Sequence, residues 1–165
     1  MIILGIDPGT AILGYGCVRT EKNKNSVLGY GCLKTDKNLA AAERLKKLYQ
    51  GLTKLLKNFR PDFVAVEEIF FFKNAKTVIQ VSQARGVAIL AAANLGIPIL
   101  EFTPLQVKQA VSGYGRAEKQ QIQKMVKLLL NLKEIPRPDD AADALAIAIC
   151  AAHSQKSHSV LTGKK

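Results

Sequence analysis

Ile2-Ile3-Leu4-Gly5-Ile6-Asp7-Pro8-Gly9-Thr10 is the stretch from which the rest of the chain is best read. An apolar run over residues 2–6 is halted by Asp7-Pro8-Gly9, so it reads as a buried strand that delivers an acid to a turn. Side chains alternate across a strand, which puts Ile3, Gly5 and Asp7 on one side. A second run repeats the pattern. Phe63-Val64-Ala65-Val66-Glu67 is short, apolar and acid-terminated, with Phe63, Ala65 and Glu67 on one side.

Between these two strands, residues 12–19 and 26–34 carry Gly, Cys, Val, Leu and Tyr and flank the polar patch Glu21 to Asn25, as in an antiparallel meander. Leu45, Leu48, Tyr49, Leu52, Leu55, Leu56 and Phe59 then recur at helical spacing, with Lys46, Lys47, Lys54 and Lys57 opposite, and Arg60-Pro61-Asp62 ends that helix. From Thr77 to Asn94 the pattern is helical and apolar on more than one side, which suits full burial and packing on a partner about equally. Leu95-Gly96 stops it, and residues 97–100 give a fifth strand. Helices are expected over 104–112, 117–131 and 139–152. The order predicts one α/β domain over residues 1–153, a five-stranded mixed sheet flanked by helices, with a disordered basic tail over 154–165.

Charge narrows the function. Twenty-four Lys and Arg against thirteen Asp and Glu give a formal +11 and a pI near 9.7 over 165 residues, so the surface attracts polyanions, above all nucleic acid. No charge-free apolar run approaches the ~20 residues of a membrane span, and the N-terminus shows no secretion signal. Cys17, Cys32 and Cys150 are odd in number and without CxxC spacing, which argues against structural zinc and disulfides and for a reducing cytoplasm.

Against that basic background the acids stand at element ends: Asp7, the pair Glu67-Glu68, and Asp139, Asp140 and Asp143 at the start of the last helix. Asp140 and Asp143 are three apart and can share a helical face, though Asp139 stays open on periodicity alone. Singly, each has a plain explanation: a turn residue for Asp7, a solvated loop for the Glu pair, a helix N-cap for Asp139 or Asp140. Together, if the first and fourth strands are neighbours, they form a carboxylate cluster that is unfavourable unless it holds cations. Mg²⁺ takes a few carboxylates plus water and phosphate oxygens, and paired ions ~3.5–4 Å apart serve phosphodiester hydrolysis. A basic exterior around an acidic pocket is what a nuclease needs. His153 and His158 match no metal spacing, GxSxG, Walker A and GxGxxG are missing, and Gly113-Tyr114-Gly115 reads as a joint between helices.

Ile3-Leu4-Gly5-Ile6-Asp7-Pro8-Gly9-Thr10 with Gly14-Tyr15-Gly16 resembles the opening of the RuvC-type Holliday junction resolvases. So do Val64 through Glu67 followed by Phe70, Lys73-Asn74-Ala75, and Gln83-Ala84-Arg85-Gly86-Val87-Ala88. Pro104 with Val107 to Val111, then Gly113, Gly115, Ala117 and Lys119, and finally Asp140-Ala141-Ala142-Asp143-Ala144-Leu145-Ala146 complete a set that runs in the family's order from residue 2 to about 150. The resemblance implies a ribonuclease H-like fold, which the element order suits without selecting it. It further implies a homodimer that resolves four-way DNA junctions by paired nicks, alongside the RuvA and RuvB branch-migration proteins. It matches Asp7, Glu67, Asp140 and Asp143 to metal-binding catalytic carboxylates, holding two Mg²⁺ per subunit with Mn²⁺ able to stand in, and so prefers Glu67 to Glu68 and Asp140 to Asp139. Lys119 and Lys108 match basic residues near the scissile phosphate, and Phe70 an aromatic used on unstacked bases. Lys73 and Arg85, within the matched blocks, are expected on the DNA. Phe71 and Phe72 extend the aromatic run, where packing is the plain explanation, and Ser82 stands where relatives often have Gly.

Three rivals remain. An actin-like or sugar-kinase nucleotide binder would need a second such domain, a related nuclease would prefer structured RNA, and a junction-binding module would be indifferent to Mg²⁺.

Overall fold

A computed structural model describes residues 1–22, 24–69 and 75–162. Strands β1 (Ile2–Asp7), β2 (Ile12–Glu21) and β3 (Lys24–Lys34) form the meander, helix α1 (Ala41–Phe59) leads to β4 (Phe63–Glu67), and α2 (Ala75–Ala93) leads to β5 (Ile99–Phe102). Helices α3 (Pro104–Ser112), α4 (Lys119–Leu129) and α5 (Asp139–Thr162) follow. The sheet runs β3-β2-β1-β4-β5, antiparallel through the meander and parallel from β1 to β4 to β5. This is the five-stranded mixed sheet that the sequence leads one to expect.

Alternation divides the core between the two faces of the sheet. Leu4 and Ile6 of β1, with Val64 and Val66 of β4, pack against Leu48, Leu52 and Leu56 of α1 and Ala84 and Ala88 of α2. Full burial of each such leucine is worth ~1.5–3 kcal/mol. The α1 lysines Lys46, Lys47, Lys54 and Lys57 are exposed on the other side of that helix. On the opposite face, Ile3, Ala65 and Phe102 meet α3, α4 and the Ala-rich α5.

Three glycines set how closely α5 approaches. Gly5 and Gly16 are paired across β1 and β2, as are Asp7 and Gly14. A Cβ on Gly5 would overlap the Ala144 carbonyl, and one on Gly14 the Asp140 carbonyl. At Gly16 it would press into Leu145. The bare patch therefore lets α5 lie directly on the strands, which brings its acidic first turn to the end of β1.

Several boundaries differ from expectation, and two of the differences have a clear cause. Strand β5 begins at Ile99 rather than 97, because Gly96 turns left-handed (φ 67) and Pro98 has no N–H for the ladder. The larger difference is the C-terminus: α5 continues to Thr162 rather than ending near 152, so the tail expected to be disordered from 154 is helical over most of its length. Its polar composition suggested a tail, but no Gly or Pro interrupts the chain between His153 and Thr162, and Gly163 is the next breaker.

Candidate active site

Asp7 and Glu67 are the last residues of neighbouring parallel strands. The register Gly5↔Ala65, Ile6↔Val66 leads next to Asp7 beside Glu67, and both share the α5 face with Gly5 and Ala65. Asp140 from the first turn of α5, where a helix N-terminus favours negative charge, and Asp143 from just beyond it come down onto this strand end. Asp7, Glu67, Asp143, Lys108 and Lys119 then line one cleft of about 300 Å³, walled by Pro104 and Val107 of α3, Ile122 of α4 and Ala146 and Ile147 of α5. Asp140 lies over β2, its backbone against Gly14, and its charge reaches Asp7.

The cluster is electrostatically strained. Burial first, then Asp143, Glu67 and Asp140, push the Asp7 carboxyl up to about 7, with Lys119 pulling the other way. Burial and then the Asp143 charge raise Glu67, which Lys108 partly offsets. Asp143 is also raised, chiefly by burial, with Asp139 and Asp140 adding to it against the Lys119 contact.

Lys119 is the resident counter-charge. Its Nζ donates to Asp143 Oδ2 at 2.9 Å and lies 3.7 Å from Asp139 Oδ2. The hydrogen bond to Asp143 is the main reason its own pKa is raised. A cation on the first residue of a helix is opposed by the helix dipole, so Lys119 serves the cleft rather than α4. Helix α3, which carries Lys108, is fixed by a reciprocal cap: Thr103 accepts from the Gln106 N–H at 3.1 Å and Gln106 accepts from the Thr103 N–H at 2.8 Å. Gly113 closes the helix with φ 72, giving the expected joint a defined turn.

The donor set suits hard divalent cations. Among the described residues, no three acidic, His or Cys side chains already form a closed cage. Mg²⁺ does not need one, because it uses one or two carboxylates and fills its remaining positions with water and phosphate oxygens. A raised Asp7 beside two further half-buried, raised carboxylates leaves the site short of positive charge, which bound cations would supply.

The expected residues fall into three groups. Asp7, Glu67, Asp143, Lys108 and Lys119 share the cleft, while Asp140 does not line it, its backbone lying against Gly14 and its charge reaching Asp7. Arg85 is turned inward, its Nε donating to the Glu67 carbonyl at 3.2 Å and its terminal nitrogen paired with Glu101 of β5. Phe70 and Lys73, with Phe71 and Phe72, lie outside the described residues. Sequence reasoning left Asp139 open. Here it pairs with Lys119 and accepts from Arg137 at 2.6 Å, and only the Pro-Asp-Asp spelling hinted at a second carboxylate there. It also gave no place in the site to Cys32, which lies opposite Gly14 near the start of α5.

This fold and this cleft define a ribonuclease H-like, metal-dependent nuclease. Residues 3–151 match the RuvC family, described as crossover junction endodeoxyribonuclease RuvC. The chain belongs to that family. It is 62% identical over 157 residues to the crossover junction endodeoxyribonuclease RuvC of Desulforamulus reducens, covering 95% of each chain. The structure of Thermus thermophilus RuvC superposes with a TM-score of 0.89 at 39% identity, covering 96% of this chain and 97% of that one. T. thermophilus RuvC in complex with a Holliday junction substrate gives 0.87 at 37% identity, over 95% of this chain and 96% of the other.

Proposed function

We infer that this protein resolves four-way DNA junctions by paired, symmetric phosphodiester hydrolysis during recombination and repair, as a cytoplasmic homodimer, with RuvA and RuvB as partners. The observation that carries this reading is the convergence of Asp7, Glu67 and Asp143, distant in sequence, in one cleft where Asp7 is pushed up to about 7. Asp7, Glu67, Asp140 and Asp143 are the residues to hold two Mg²⁺, or Mn²⁺ in their place. When bound, such ions supply an activated water for in-line attack and stabilise the departing 3′ oxygen.

The chain's own groups do the rest. Asp7 and Glu67 offer oxygens from rigid strand ends, and Asp140 and Asp143 offer theirs from a helix seated on the glycine patch. Lys119, which bonds Asp143 here, would be available to phosphate oxygens when that carboxylate holds a cation, and Lys108 adds charge on the same wall. The exposed lysines of α1 contribute to the field that gathers the DNA backbone. Phe70 and Lys73, outside the described residues, are proposed to stack on splayed bases and to meet the DNA backbone, respectively. Helix α2 leaves Ile79 59% and Leu90 53% exposed, an apolar surface suited to a second copy. A junction of approximate two-fold symmetry needs two sites related the same way.

The test is incubation with a synthetic four-way DNA junction, with and without Mg²⁺, resolved on a denaturing gel. Paired nicks that require the metal are expected. Binding without nicking, or preferential cutting of structured RNA, would contradict the reading.

A further inference from the structure

The geometry points to Arg85 as a positioning residue that holds catalytic Glu67 from the far face of the sheet. This rests on the reading of Glu67 as a metal ligand. Arg85 stands on α2 beside the buried Ala84, on the face of the sheet opposite the carboxylate cleft, and its side chain is only 21% exposed. It joins two strands: Nε donates to the backbone carbonyl of Glu67, and a terminal nitrogen pairs with the Glu101 carboxylate.

The Glu67 carbonyl has a specific need for that donor. The N–H groups of Val64 and Glu68 bond β5, to the carbonyls of Pro98 at 3.0 Å and Phe102 at 2.8 Å. Peptide groups alternate along a strand, so the Glu67 carbonyl is turned the other way, toward β1. The next residue there, after Asp7, is Pro8, which has no N–H to give. The turn that presents Asp7 therefore leaves its neighbour's carbonyl without a ladder partner, and Arg85 fills the place.

The consequence falls on the carboxylate. Glu67 shares the α5 side with Ala65, so its side chain enters the cleft while its peptide is gripped from behind. Loss of the grip leaves that peptide held only on its other side, by the Glu68 N–H to Phe102, and so loosens the carboxylate beside Asp7. Metal ligands need to be held to within about 0.5 Å, and supporting partners are typically worth ~10–100-fold in metal affinity or activity. The Gln83-Ala84-Arg85-Gly86 block thus serves the site through β4, in place of the direct DNA contact expected from sequence.

The test is Mn²⁺ binding to the free full-length protein by isothermal titration calorimetry, with junction affinity measured separately without metal. Arg85→Met keeps the packing of the stem and removes every donor. It is expected to weaken Mn²⁺ binding ~10-fold or more while junction affinity stays within about threefold, and Arg85→Lys should recover part of the loss. Glu101→Gln removes the carboxylate that anchors Arg85, so it should weaken Mn²⁺ binding by a smaller factor, about threefold, and it decides the matter should Arg85→Met not fold. Parent-like Mn²⁺ binding by folded Arg85→Met, or by Glu101→Gln where Arg85→Met does not fold, or a loss confined to junction affinity, would overturn the proposal. Glu67→Ala separates the two levels. If it weakens Mn²⁺ binding and Arg85→Met does not, only the Arg85 inference fails. If Glu67→Ala is itself without effect, the reading of Glu67 as a ligand fails.

Discussion

The two faces of the sheet are built by opposite rules. Behind it, Leu48, Leu52 and Leu56 of α1 close over Leu4, Ile6, Val64 and Val66, all essentially without exposure, so that every group is where its solvation prefers it. In front, glycines strip the strands bare, α5 is drawn in, and carboxylates gather, with burial and mutual repulsion opposing the ionisation of Asp7, Glu67 and Asp143. One face supplies stability, and the other spends part of it on a site that needs cations. Substitutions on the two faces should therefore separate activity from stability in opposite directions.

The largest effect is expected from Asp7→Asn. Supporting partners of a metal site already account for ~10–100-fold, so removal of a ligand should lower nicking by more than ~100-fold while junction binding persists. The metal-free variant should be at least as stable as the parent, because a buried, repelled carboxyl has been replaced by an amide. Thermal unfolding in EDTA beside a gel-based cleavage assay checks both parts. Leu52→Ala, behind the sheet, should do the reverse. It should cost ~2–5 kcal/mol of unfolding free energy in urea, with the folded fraction cutting at near-parental rate. Gly5→Ala sits between these extremes. The added methyl meets the Ala144 carbonyl, so α5 must shift, with a cost of ~1–3 kcal/mol and a loss of nicking that exceeds what the unfolded fraction explains.

Reading the sequence recovers most of the front face, and the reasons are local. Asp7 and the Glu67-Glu68 pair were legible as candidates because an acid that ends an apolar strand is visible in five or six letters, and acids at the start of the last helix are equally plain, while the choice of Glu67 over Glu68 and Asp140 over Asp139 came from the family resemblance. What could not be read depends on register between distant segments. That Gly14 and Gly16 face the same helix as Gly5 follows only once β1 and β2 are paired. Asp139 gains its role from Lys119, twenty residues upstream in another helix. Arg85 lies in a block that suggested DNA, yet its acceptor is a carbonyl orphaned by Pro8, a relation visible only with β1 and β4 side by side. The helical course of residues 154–162 was hidden for another reason, since polar composition resembles a tail while nothing in it breaks a helix.

The smallest effect separates the faces by pH. Asp7 is raised in the folded, metal-free protein from 3.8 to about 7, so the folded state binds the proton more tightly than the unfolded chain. Its contribution to stability is then fully present below about pH 4 and is lost as pH rises toward 7. Glu67 and Asp143 are raised and act in the same direction. In EDTA, the parent should lose stability across this window relative to Asp7→Asn. With Mg²⁺ the loss should shrink, because cations favour the ionised form, and at limiting Mg²⁺ nicking should rise with pH through about 7. A flat difference between the two proteins from pH 4 to 7 would show that Asp7 carries no such strain.

Whether the separated acids share cations is settled most directly by anomalous diffraction from crystals grown with Mn²⁺. Density is expected in the cleft within coordination distance of Asp7 and of at least one of Glu67, Asp140 and Asp143, with Lys119 moved off Asp143. A cleft without anomalous density at saturating Mn²⁺, or an ion that leaves Asp7 unligated, would contradict the assignment of this site.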